Sequence, residues 1–167
     1  MTAHFDVLGI DPGKHVGISH LRATTASVSN PHWAHLGKLQ IESKLLETQH
    51  DFPSALARLR EIFESLSNTR PLVVAVEHFV LTRTSTFGGA HFALEVTGVV
   101  HAFANIYTPR ATLCTDQKPA EAKLISNPTL NDLGIRSRGD GSDDHAHMAA
   151  KHALLACARV RKGKLLL

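Results

Sequence analysis

The chain has 167 residues, 43% hydrophobic and 20% charged, the make-up of a folded domain with one core rather than of a disordered or fibrous segment. No apolar run approaches the roughly 18 residues that cross a bilayer, and the polar Met1–Phe5 opening leads straight into a strand-like run, so a cytoplasmic protein without signal peptide or membrane span is expected. A formal charge of +3 is mildly basic and leaves room for a polyanionic partner.

Phe5 to Ile10 is a short apolar run that stops at Asp11-Pro12-Gly13, a strand meeting a turn. Val16 to Leu21 and Pro31 to Ile41 alternate, which predicts three antiparallel strands with turns at Gly13 and over Ser27 to Pro31. Asp51 is placed to cap a helix with Pro53 in its first turn, and Phe52, Leu56, Leu59, Phe63 and Leu66 form one apolar face. Leu72 to Val76 is apolar without interruption, as a strand buried on both faces requires. Phe92, Val96, Val99, Phe103 and Ile106 mark a second helix, and Ala111 to Thr115 a further buried strand. Pro119, Pro128, Gly134, Gly139 and Gly141 then break the chain into short turns and loops, before an alanine- and leucine-rich helix from about Asp143 to Val160. Three antiparallel strands followed by alternating helix and strand predict an α/β fold, a mixed five-stranded sheet flanked by helices, in a single domain over 1–167. Cys114 and Cys157 lie in apolar surroundings at no metal-ligand spacing and read as reduced core cysteines.

Chemistry is suggested by acids at the ends of these elements. Asp11 closes the first strand, Glu77 closes the buried one, and Asp143 and Asp144 open the last helix. Taken singly, each has a structural reading: a turn aspartate, a solvated loop acid, a helix cap favoured by the dipole. Taken together, carboxylates beside buried strands are costly unless something neutralises them, and a divalent cation does so economically. A pair of metal ions about 3.5–4 Å apart in such a cluster can activate water and stabilise the leaving oxygen of a phosphodiester. The twelve histidines are scattered, and no HxH or HExxH zinc pattern with supporting ligands emerges apart from His145 and His147.

The run Leu8-Gly9-Ile10-Asp11-Pro12-Gly13-Lys14-His15-Val16-Gly17 resembles the opening signature of RuvC-type Holliday-junction resolvases, in the RNase H-like superfamily. Val74 to Phe79 resembles the second motif, in which a strand delivers a glutamate. The helix from Gly88-Gly89-Ala90 through Gly98 resembles the small-residue helix after it, and Ser142 to His147 with Ala149 to Ala153 the closing acid-bearing helix. The resemblance spans almost the whole chain in order. It implies a metal-dependent endonuclease on branched DNA, of phage or bacterial type and so resident in the nucleoid or host cytoplasm. It also implies Mg²⁺, with Mn²⁺ able to substitute and two ions per site, and a homodimer. Asp11 and Glu77 would be catalytic ligands.

The third motif departs from the family pattern of Asp-x-x-Asp or His-x-x-Asp, because the residue three after His145 is Met148, which cannot ligate Mg²⁺. Asp144 with His147 keeps the family spacing, while Asp143 with His147 is better in phase with the apolar face of the helix; His147 is common to both and the acid stays open. The family's junction-holding aromatic and basic side chains correspond to Phe79, Arg83 and Phe87, which could equally be core packing and a solvated arginine. Lys118 and Lys123, and also Arg136 and Arg138, could meet phosphates. Rival readings keep the fold and change the substrate or remove the chemistry. One is an RNase H-like nuclease on other branched DNA or RNA-containing substrates, including the YqgF-like branch; another is an inactive junction-binding protein. An actin-type ATPase would need a second such domain.

Overall fold

The computed structural model describes residues 4–13, 16–24, 41–46, 52–66, 70–79, 87–133 and 144–167. Five strands form one sheet in the order β3-β2-β1-β4-β5, with β1 His4–Asp11, β2 Val16–Thr24, β3 Ile41–Leu46, β4 Leu72–Glu77 and β5 Thr112–Gln117. β2 pairs antiparallel with both β1 and β3, β4 pairs parallel with β1 and β5 parallel with β4, a mixed sheet as the order of elements predicts. The third strand begins at Ile41, where the alternating segment 31–41 ends; residues 31–40 lie outside the described ones, as do the turn over Ser27 to Pro31 and the Asp51 cap. The final strand runs two residues beyond the Ala111 to Thr115 stretch, and its polar end, Asp116-Gln117, is what hides it in the sequence.

The helices are α1 Phe52–Leu66, α2 Phe87–Tyr107, the short α3 Pro119–Ala122 and α4 Asn127–Asp132, and α5 Asp144–Arg161. Ser126 caps α4 by accepting from the Thr129 N–H, and proline stands in the first turn of both short helices, where its missing N–H costs nothing.

Alternation along the strands sorts the core into two layers. Leu8, Ile10, Val74 and Val76 pack with Leu59 and Phe63 of α1 and Val96 and Val100 of α2 on one face. Phe5, Val7, Val73, Ala75 and Cys114 pack with Ala150, Ala153, Leu154 and Cys157 of α5 on the other. Among the described residues of α2 the buried ones are Ala90, Ala93, Val96, Val100 and Ala104, while Ile106 is exposed, so the stripe expected to run through Ile106 turns away from the core at its end. Val96, Val100 and Ala104 enter the core, and the larger Phe92, Val99 and Phe103 pack against it, half-buried. Both cysteines are free and buried, and burial pushes the Cys157 thiol up to about 12.

Helix α5 approaches the sheet more closely than side chains at every strand position would allow. A Cβ at Gly9 would stand 2.0 Å from the Ala149 carbonyl oxygen, and one at Gly17 2.0 Å from that of His145. These two glycines, one on each of the paired strands β1 and β2, seat the first half of α5 directly on the backbone. That seating places the N-terminal turns of α5 over the end of β1.

Candidate active site

Asp11 and Glu77 end neighbouring parallel strands, and the register Ile10 to Val76 puts the two acids side by side. Period-two alternation carries Asp11 to the same face as Val7 and Gly9, and Glu77 to that of Val73 and Ala75, the face covered by α5. Asp11 is only 6% exposed. Its pKa is raised, chiefly by burial; the hydrogen bond from His145 works against the shift, and the nearby negative charge of Glu77 adds to it. A buried carboxylate that repels a second one is a centre short of positive charge.

Two histidines of α5 lie against these acids. His145 Nδ1 lies 2.8 Å from Asp11 Oδ2, and His152 Nε2 lies 2.9 Å from Glu77 Oε2. They stand seven residues apart, two helical turns, and so share a face. His145 retains 38% side-chain exposure, whereas His152 has none. The other ring nitrogen of His152 is 2.8 Å from Gln117 Oε1, at the end of β5.

The structure therefore brings together Asp11 and Glu77 from the expected set and adds His145, His152 and Gln117, which the sequence motifs do not single out. The His145/His152 spacing is a readable signal; the family spacing obscures it, because it discounts His145 for having Met148 three residues beyond. Gln117 carries no signal. His147 is not brought to the pair: it sits two residues on from His145, about 200° round the helix, and is buried with Nε2 unpartnered among the described residues. Asp144 opens α5, but its side chain, like that of Phe87, lies outside what is described; Asp143, Arg83, Arg136 and Arg138 lie outside altogether. Phe79 is half-buried just past β4, Lys118 is exposed immediately after Gln117 at the same end of the sheet, and Lys123 is exposed one turn further.

Among the described residues no three acid, histidine or cysteine side chains form a ready metal cage. The donor chemistry nevertheless fits a hard divalent ion: two carboxylates, one buried and electrostatically strained by the other, beside imidazoles. The strain itself is measurable. Because the folded-state pKa of Asp11 lies above its unfolded value, its contribution to stability is full below about pH 4 and lost as pH rises through the folded value. In EDTA, Asp11→Asn is expected to melt at or above the wild-type temperature at pH 7, with the advantage shrinking towards pH 4. A variant less stable than wild type at both pH values would show that Asp11 is fully compensated without metal.

No protein-family model matches the sequence, and no curated protein matches it. Among solved structures, Thermus thermophilus RuvC in complex with a Holliday junction substrate superimposes with a TM-score of 0.66 at 20% identity, over 96% of this chain and 97% of that one. A second Thermus thermophilus RuvC structure gives 0.60 at 21% identity, over 95% and 97%. The chain thus shares the fold of these RuvC structures, with the mixed sheet that the order of its elements predicts.

Proposed function

We propose that the chain is a RuvC-like, metal-dependent endonuclease that resolves four-way DNA junctions by phosphodiester hydrolysis. The observation that carries this reading is the buried Asp11 set against Glu77 at the ends of adjacent parallel strands. Support for the substrate comes from the fold shared with a resolvase whose structure contains a Holliday junction, and from the exposed Lys118 and half-buried Phe79 at the same end of the sheet.

Asp11 and Glu77 would hold Mg²⁺, with Mn²⁺ as a substitute, and one of Asp143 and Asp144 would complete the set; a second ion is part of the proposal. When bound, such ions lower the pKa of a coordinated water and offset charge on the leaving oxygen. The chain's own residues do the rest. His145 steadies the Asp11 carboxylate at Oδ2 and, as the site histidine that solvent reaches, takes the place in the site that the motif spacing gives to His147. Lys118, and Lys123 beyond it, would hold phosphates of the junction arms. A panel of fluorescent substrates in Mg²⁺ tests the reading. Four-way junctions should be converted to nicked duplexes while linear duplex is left intact; cutting confined to RNA–DNA hybrid would overturn it.

We further propose a two-fold dimer, because paired incision of a junction needs two sites and an isologous pair supplies them. Most of the apolar face of α2 packs on its own sheet, so the surface left for a partner is the outward one carrying Leu94, 50% exposed, and Gly98, beside which a Cβ would meet nothing within 4 Å. Light scattering should report about twice the 18.1 kDa chain mass. A strict monomer, free and on junction DNA, would remove this part of the proposal.

A further inference from the structure

We propose that His152, braced by Gln117, is a positioning residue that fixes the orientation of the Glu77 carboxylate for metal binding. This rests on the reading of Asp11 and Glu77 as ligands and extends it to residues that touch neither DNA nor metal.

His152 and Gln117 are both fully buried, and each satisfies the other. A histidine among Ala149, Ala153 and Ala156 costs desolvation that an apolar residue would not, so packing alone does not account for it. What it supplies is a nitrogen 2.9 Å from Glu77 Oε2.

The brace is itself anchored. The Gln117 carbonyl accepts from the His78 N–H at 2.8 Å, and Gln117 pairs with Glu77 across the irregularity between Ala75 and Glu77 in the β4–β5 ladder. Its amide nitrogen donates to Cys114 Sγ at 3.3 Å, and Arg159 Nη1 donates to the same sulfur. Arg159 is tied in turn to Asp116 and to Glu121. A continuous polar path therefore runs from a surface ion-pair cluster through the interior to one oxygen of Glu77. A glutamate at a strand end otherwise samples several rotamers, and ligand geometry has to be held within about 0.5 Å.

The test uses two amides that place nitrogen differently. In His152→Gln the amide nitrogen overlays Nε2 and keeps the donor to Glu77; in His152→Asn the amide overlays Nδ1 and loses it. Mn²⁺ affinity, read from the electron paramagnetic signal of the free ion, should fall about 10–100-fold in His152→Asn and stay close to wild type in His152→Gln. Gln117→Leu, which leaves the ring in place and removes its brace, should weaken Mn²⁺ in the same direction, and decides the matter if His152→Asn does not fold. Equal affinities in His152→Gln and His152→Asn, or wild-type affinity in Gln117→Leu, would overturn the proposal. Wild-type protein that binds no Mn²⁺, or Asp11→Asn that binds it undiminished, would remove the metal reading itself, a pattern distinct from failure of the His152 role alone.

Discussion

Gly9→Ala is expected to destabilise the protein by about 3 kcal/mol or more, the upper part of the range for overpacking, whereas Gly98→Ala should stabilise it by about 0.5–1 kcal/mol. The chemical change is the same methyl group. At Gly9 that methyl meets the Ala149 carbonyl oxygen at 2.0 Å and the Ala153 Cβ at 2.9 Å, so α5 must lift from the sheet. At Gly98 it meets nothing and only restrains the unfolded chain. Because folded proteins hold only about 5–15 kcal/mol in reserve, the first change takes a large share of the total. It should also reduce cleavage beyond its effect on stability, since α5 carries His145 and His152. Urea melts of the two variants check the contrast; equal shifts of the same sign would mean that α5 does not sit on the β1 backbone as described.

Asp11→Asn and Glu77→Gln are each expected to lower junction cleavage by about 10³-fold or more, equivalent to about 4 kcal/mol of transition-state stabilisation, with junction binding retained. The amides keep size and hydrogen-bonding capacity and lose the charge that a divalent ion requires. Retention of binding follows because removing an acid lessens repulsion of phosphate. Single-turnover rates and gel-shift affinities measured together separate the two effects. Full activity in either variant would take that residue out of the site.

The parts of this site that are legible in the sequence are those whose position depends on local order. Asp11 and Glu77 each follow an apolar run, and a strand's end can be read from where its apolar run stops. The continuous Leu72–Val76 run also places β4 in the middle of the sheet. The histidines are not legible in the same way. Which face of α5 meets the site depends on the close approach at Gly9 and Gly17, a tertiary fact, and without that approach His147 looks as well placed as His145. Gln117 reaches His152 only because β5 continues two residues past its apolar stretch and pairs irregularly with β4. In α2, five large residues at alternating spacings of four and three suggest one buried face, but among the described residues the buried positions are Ala90, Ala93, Val96, Val100 and Ala104, and Ile106 lies outside.

The central claim, that Asp11 and Glu77 form a metal-dependent centre for cutting junctions, is tested most directly by one single-turnover reaction. Wild-type protein is bound to a synthetic four-way junction in EDTA, and excess Mg²⁺ is then added. The account predicts a stable complex without products in EDTA, and paired nicks in opposing strands once Mg²⁺ is present. Equal cutting in EDTA, or an intact junction in both Mg²⁺ and Mn²⁺, would contradict it.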